Sequence, residues 1–366
     1  MRIGVHRIPM SHPADVSALQ RLIDSGTVDP AKIVASIGKT EGNGGANDFT
    51  RALATLSFSR LLGQRLGIVP DEVLERVAFV WSGGCEGILS PHATVFTRDD
   101  AEGGARTSGG RLALSVQRTR AFKPEEVGRM AEVVEVAAAT RRALDDLGAT
   151  PVDVHYVQVK GPLLTPAGLS DARRRGAQVV TTDPNRSKAY ARGATALGVA
   201  LALGEVRDGQ VTEEVISTDM RLFSRVASTS AGGELTACEV LVFANSPHAT
   251  SSFRIGHALL RDAIDAQGVA EALRSAGLEF DGLPDEEQRA RVAAVFAKAE
   301  APPDGEIRGW RTTMLSDADI NYERHARAAV GAVIASITGD PAIFVSGGTE
   351  HQGPLGQAPI AVIARA

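Results

Sequence analysis

The sequence predicts an α/β (α+β) fold built from three homologous units, each reading roughly β-α-β-α-β, at about residues 1–103, 111–250 and 254–366. Three observations carry this expectation. First, a hydrophobic run ends in Ser, a small residue and Gly, with Glu four residues after the Ser, and it does so three times. The copies are Trp81-Ser82-Gly83-Gly84-Cys85-Glu86, Thr229-Ser230-Ala231-Gly232-Gly233-Glu234 and Val345-Ser346-Gly347-Gly348-Thr349-Glu350. Second, each Ser is preceded by a strand-like run ending in Lys (33–39, 154–160, 292–298), then by an aromatic-x-Arg pattern that opens a helix-like segment. Those patterns are Phe49-Thr50-Arg51, Tyr190-Ala191-Arg192 and Tyr322-Glu323-Arg324. Third, Ser-Pro-His-Ala-Thr occurs at 90–94 and again at 246–250, which reads as independent evidence of duplication. The period is about a third of the chain, too long for a solenoid.

The first unit opens with a strand at 2–7 and a helix at about 13–25, ended by Gly26. After Lys39 comes the glycine-rich loop Gly42-Asn43-Gly44-Gly45. Asn47 or Asp48 can cap the next helix, in which Phe49, Leu53, Leu56 and Leu61 have helical spacing. The Ser82 strand follows, and the polar, glycine-rich stretch 99–110 reads as a linker. The second unit starts with a strand at 111–116 and a helix at about 124–147, whose Glu125 and Glu126 suit the positive end of the helix dipole. An irregular loop with Pro162 and Pro166 follows Lys160, and Asp183-Pro184-Asn185 marks a turn before the Arg192 helix. The third unit begins near Arg254, with a helix at 266–277. Residues 284–301 are ambiguous: the Ala- and Arg-rich composition favours helix, whereas the repeat requires a strand at 292–298. A Gly/Pro-rich loop, 350–357, leads to a last strand at 359–364.

Composition bounds the function. Hydrophobic content is 43%, charged content 23% and the net charge −5, with no basic block. This argues against a nucleic-acid surface and a polybasic membrane anchor. Two cysteines, Cys85 and Cys238, make no disulfide framework and fit a reducing compartment. The first residues lack a signal-peptide core, and no apolar run reaches the ~20 residues of a membrane helix. The expected location is the cytoplasm.

The repeated residues suggest chemistry. Lys and Ser can form a nucleophilic pair without His when burial or a nearby cation lowers the Lys pKa. The three Arg could supply that cation and suit an anionic or carbonyl-rich ligand. If the units pack around a pseudo-three-fold axis, their Lys, Arg and Ser converge on one point with three near-identical polar sectors. A small ring repeating carbonyl and N–H around its edge matches such a site. Other motifs are weaker. Gly38-Lys39-Thr40 resembles the end of a P-loop, but Ile33 stands where that motif needs Gly. His92 and His248 have no zinc-site spacing and read as loop-forming residues. Cys85 has no counterpart in the other copies and reads as a small buried residue. Glu86, Glu234 and Glu350 are open to acid/base roles or to structural pairing with Arg or backbone N–H groups.

Together the three Lys/Arg/Ser sets, the Ser-Gly-Gly loops and the Ser-Pro-His-Ala-Thr segments resemble the cyanuric acid hydrolase/barbiturase family of ring-opening amidohydrolases, over essentially the whole chain. The resemblance implies three units around a pseudo-three-fold axis, a central barrel-like β core with outer helices, and an active site at the centre. It implies a cyclic amide hydrolase with no catalytic metal, a homotetramer acting on a small molecule. By resemblance Ser230 is the nucleophile and Lys160 its base. Arg51, Ser82, Gly83, Arg192, Ala231, Arg324, Ser346 and Gly347 hold the ring, and Lys39 and Lys298 complete the other dyads. Repeat symmetry alone does not choose among the dyads. The resemblance also implies a structural Mg²⁺ or Ca²⁺ at Glu300 with backbone oxygens or amides of Thr349, Gln352, Gly353, Pro354 and Gln357. Cyanuric acid, opened to carboxybiuret and then biuret as in s-triazine degradation, fits three equivalent sectors better than barbituric acid, which has one ring CH₂ and gives ureidomalonate. A non-catalytic small-ligand binder is the alternative from another class.

Overall fold

The computed structural model describes residues 1–45, 47–100, 109–347 and 352–366. Most of the expected linker, and Gly348, Thr349 and Glu350 of the third motif, lie outside the described residues. The first third contains β1 (Arg2–Pro9), α1 (Ser17–Asp24), β2 (Ile33–Thr40), α2 (Phe49–Leu66), α3 (Pro70–Arg76), β3 (Ala78–Gly83) and β4 (His92–Asp99). The second contains β5 (Arg111–Arg118), α4 (Met130–Leu147), β6 (Val154–Pro162), α5 (Pro166–Arg175), α6 (Pro184–Leu203), β7 (Ala227–Gly232) and β8 (Glu239–Ser246). The last contains β9 (Phe253–Leu260), α7 (Ala266–Ser275), α8 (Glu286–Ala290), β10 (Val292–Ala299), a small hairpin of β11 (Glu306–Ile307) and β12 (Trp310–Arg311), α9 (Tyr322–Thr338), β13 (Phe344–Gly347) and β14 (Ala358–Arg365).

Each third makes one four-stranded sheet, and the three sheets have the same order: β1-β4-β2-β3, β5-β8-β6-β7 and β9-β14-β10-β13. Within each, the Lys strand runs parallel to the Ser strand and antiparallel to the last strand of its third. A parallel pair needs a crossover, which the Arg-bearing helices provide. The ladders stay separate among the described residues, so the expected barrel-like core is instead three discrete sheets packed face to face.

Their inner faces share one core. Phe96, Phe243 and Phe296 come from different sheets, with ring centroids 5.2–6.2 Å apart, and Tyr156 stacks on Phe296 at 5.3 Å. The outer faces are covered by the helices of the same third, giving separate clusters around Phe58, Val136 and Ile334. Apolar residues on both faces explain the near-continuous burial of β2, β6 and β10.

Several expectations are corrected. The stripe assigned to α2 is wrong: Phe49, Leu53 and Leu56 are exposed, and the buried face is Ala54, Phe58, Leu61 and Leu62. The Ser-Pro-His-Ala-Thr segments are not structural equivalents. The first overlaps the start of β4, whereas the second follows the end of β8, the corresponding strand in its sheet. The ambiguity at 284–301 resolves into both states, with a Pro284-Asp285 cap and one short turn of α8 before β10. The loop after Lys160 holds α5, which starts on Pro166 at its first turn with the Thr165 hydroxyl accepting from Gly168 N–H. Each unit also carries a strand beyond the expected five elements.

Candidate active site

The three Lys and three Ser are paired by strand register. Lys39 lies opposite Ser82, Lys160 opposite Ser230 and Lys298 opposite Ser346 on the neighbouring parallel strands. Opposed residues on paired strands project to the same face, so each unit turns its Lys and its Ser to one side. The hydroxyls of Ser82, Ser230 and Ser346 then meet at one central cavity, with Gly83, Ala231 and Gly347 beside them. The remaining space there is about 20 Å³, room for about one water.

Glycine at two of the three positions after Ser has a steric cause. A Cβ on Gly83 would collide with the Asp48 carboxylate, and one on Gly347 would come within 2.6 Å of Arg327 Nη1. Asp48 is fixed because its side chain caps α2 through Thr50 N–H at 3.0 Å and also accepts from Gly44 N–H at 2.8 Å. The second unit carries Ala231 at this position, buried like its counterparts.

The arginines divide. Arg51, near the start of α2, and Arg192, in α6, line the cavity. Arg51 Nη2 donates to Gly45 O at 2.7 Å. Arg324 does not join them. Its side chain is 47% exposed, with Nε 3.5 Å from Glu86. Arg327, one turn later in α9, lines the cavity instead and is buried. It grips Glu86 with two bonds, Nε to Oε2 at 2.9 Å and Nη2 to Oε1 at 2.5 Å. Burial alone would raise the Glu86 pKa, but this guanidinium outweighs it and holds the carboxyl below its ordinary value. Lys188, which no repeat singled out, also lines the space.

The lysines are buried, which makes carrying a proton costly. Burial, reinforced by the Arg327 charge, pushes Lys39 down to about 7. Its Nζ donates to Ser82 Oγ at 3.0 Å and to Val345 O at 2.7 Å. Lys298 Nζ donates to Thr229 O at 2.6 Å. Burial also lowers Lys160, helped by Arg51 and Arg192 and opposed by Glu234, whose Oε1 is 2.9 Å from its Nζ. Ser230 is the half-buried serine of the three, and among the described residues its Oγ makes one long 3.4 Å contact, with Val159 O. Ser82 Oγ is engaged by Lys39 and by Val345 O at 3.1 Å.

The other candidates are quiet. Burial raises the Cys85 thiol to about 11, far from a thiolate nucleophile. His92 is buried, with Nδ1 2.8 Å from Ser90 O, and burial lowers it to about 4. Among the expected metal ligands, Glu300 is buried just beyond β10, and Gly356 of the 352–357 loop packs beside Pro302. The Gln352 side chain is committed elsewhere, accepting from Ser217 N–H and donating to Asp219 O and Leu222 O, so it has only its backbone oxygen to offer. Thr349 lies outside the described residues, and among the described residues no cluster of three or more His, Cys, Asp or Glu occurs.

Comparison with known proteins agrees with this architecture. The profile described as amidohydrolase ring-opening protein matches residues 4–365. A cyclic amide hydrolase of Azorhizobium caulinodans is 66% identical over the full length of both chains. A cyanuric acid amidohydrolase of Enterobacter cloacae is 52% identical, again over the full length of both. A solved cyanuric acid hydrolase, reported as a case of structural concatenation, superposes with a TM-score of 0.94 at 51% identity, covering 100% of this chain and 99% of that one.

Proposed function

Because the chain belongs to the ring-opening amidohydrolase family, we propose that it opens cyanuric acid by hydrolysis, with Ser230 as nucleophile and Lys160 as base. The observation that carries this is the register of three Lys/Ser pairs whose serines line one cavity. Three equivalent sectors match a ring with three carbonyls and three N–H groups. Neutral Lys160 takes the Ser230 proton as Oγ attacks one carbonyl carbon. The oxyanion that forms is stabilised by backbone N–H groups of the Ser-Ala-Gly loop. The ring C–N bond then breaks, and Lys160 returns its proton to the leaving nitrogen. Water, deprotonated by Lys160, attacks the acyl-Ser230 carbon and releases carboxybiuret, which loses CO₂ to give biuret. Ser82, Ser346 and the arginines hold and polarise the other two carbonyls. We assign the third arginine sector to Arg327 rather than Arg324, on the support of their exposures. Purified protein offered cyanuric acid and barbituric acid separately should consume cyanuric acid, followed by loss of substrate and appearance of biuret. Turnover of barbituric acid alone would overturn the substrate assignment.

The same reading includes a structural Mg²⁺ or Ca²⁺ at Glu300 and backbone oxygens of Gly353, Pro354 and Gln357, all hard donors. It is supported by the burial of Glu300 and by the packing of that loop beside Pro302. Chelation should lower the unfolding temperature by about 5 °C, the size expected of a bound ion, and leave initial turnover intact. Immediate loss of turnover at unchanged unfolding temperature would contradict a structural role. A cytoplasmic homotetramer is the assembly this family resemblance suggests. It is supported by the free thiols of Cys85 and Cys238 and by the exposed apolar pair Phe49 and Leu53, one helical turn apart on α2.

A further inference from the structure

Lys160 breaks a pattern that the other two lysines keep. Lys39 donates to the carbonyl of Val345, the residue before Ser346, and Lys298 to that of Thr229, the residue before Ser230. Each amine therefore bridges to the Ser strand of a neighbouring unit. Continued around the axis, the acceptor for Lys160 would be the carbonyl of Trp81, the residue before Ser82. Lys160 is turned instead to Glu234 of its own unit, at 2.9 Å. The equivalent Glu86 does nothing of the kind, since both its oxygens are taken by Arg327.

We propose that Glu234 is a positioning residue for Lys160: it draws the charged amine away from Ser230 and releases it to the hydroxyl only as the neutral base. This rests on Ser230 and Lys160 being the reacting pair. Two amine positions are available from one backbone geometry. In the first unit the same strand register brings Lys39 Nζ within 3.0 Å of Ser82 Oγ. In the second, the register is the same but the amine lies against the carboxylate.

Glu234 is suited to the task by where it sits. Its side chain is 42% exposed while that of Lys160 is 3% exposed, so the pair joins the buried centre to the outside. On the outer side lies a half-open groove of about 490 Å³, lined by Leu56, Leu74, Phe79 and Trp81, which reaches Arg51, Lys160 and Glu234. Arg51 and Trp81 also line the central cavity. The ion pair thus stands between the groove and the serines.

The groups facing Lys160 fix the sign of the effect. Arg51 from α2 and Arg192 from α6 disfavour its proton, as does burial, and Glu234 favours it. Glu239, opposite Lys160 on β8, is held by Arg118 at 2.9 Å. Glu234→Gln removes the favourable charge and leaves the rest, so the Lys160 pKa falls. A larger fraction of the enzyme then carries the neutral base at low pH.

The test measures the pH profile of kcat/KM for wild type and Glu234→Gln, together with the titration of Lys160 by carbon NMR at its labelled Cε, assigned by loss of the signal in Lys160→Arg. The acid limb and the Cε midpoint should both move down by about one pH unit. Below the wild-type limb the variant should then outpace wild type by about threefold, a roughly tenfold gain in neutral base offset by its slower plateau. On the plateau it should be slower by a few-fold, as a weaker base. A residue serving only the fold would lower the rate at every pH with the limb unmoved. An unchanged Cε midpoint overturns the proposal whatever the rates do. A midpoint that moves while the limb stays fixed means that Lys160 is not the base, and the dyad assignment falls with the proposal that rests on it.

Discussion

Ser230→Ala should lower kcat by about 10³-fold or more, while Ser82→Ala and Ser346→Ala lose about 10–100-fold. Removing the nucleophile of a covalent mechanism removes the pathway, and what persists is the binding and oxyanion stabilisation of the site. Removing a hydroxyl that only polarises a spectator carbonyl costs one hydrogen bond to developing charge. The choice of Ser230 over Ser82 has a physical basis here that repeat symmetry lacks. Ser82 Oγ is already held by Lys39 and by Val345 O, whereas Ser230 is half-buried with one long contact. A hydroxyl free to turn toward an incoming carbonyl is the better nucleophile. Ser230→Ala must still bind the intact ring, measured by calorimetry. Lys160→Ala should fall as far, and the double variant little further, because the two act as a unit. A Ser82→Ala enzyme that is dead beside an active Ser230→Ala enzyme would transfer the chemistry to Lys39 and Ser82.

How far the sequence reached follows from which signals are local. The Lys and Ser strands were legible because a buried strand ending in glycine is written in consecutive residues, and three copies reinforce one another. Their register, Lys opposite Ser, appears in all three sheets. The crossovers were legible for the same reason. What failed depended on the face of a helix or on contacts between units. In α2 the larger side chains Phe49, Leu53 and Leu56 share helical spacing but are exposed, and the buried stripe runs through the smaller Ala54 to Phe58, Leu61 and Leu62. In α9, counting back from Ile337, Ile334 and Val330 arrives at Arg327 and Glu323, not Arg324. The helical period carried that information, but matching the Tyr-x-Arg pattern across repeats overrode it. Glu86 and Arg327 lie 241 residues apart in sequence, so nothing local announces their pairing. The turn of Lys160 toward Glu234 is likewise a departure from the repeat and cannot be read from the repeat.

Arg192→Lys should lower kcat/KM by about 100-fold with the fold intact, whereas Arg324→Lys should stay within about threefold of wild type. Arg192 is buried at the cavity wall, with its guanidinium 3.8 Å from Glu323. A planar fork can give two parallel bonds to the ring edge, and an ammonium on a flexible stem cannot reproduce them. Losing a charge-assisted bond in a closed site costs about 1.5–3 kcal/mol, which is roughly 10–150-fold in rate. Lys keeps the positive charge beside Glu323, so thermal unfolding should change little and the loss belongs to recognition. Arg324 offers the contrast. It is half exposed and among the described residues pairs with Glu86, which Arg327 already satisfies, and an exposed ion pair contributes about 1 kcal/mol or less. Arg327 itself is a poor probe, because its removal leaves the buried Glu86 carboxylate unpaired, at a cost of about 3–5 kcal/mol to the fold. Measuring kcat/KM and the unfolding midpoint for Arg192→Lys and Arg324→Lys side by side separates the two assignments. Equal large losses in both, with both proteins folded, would return Arg324 to the third sector and leave Arg327 as the strut that holds Glu86.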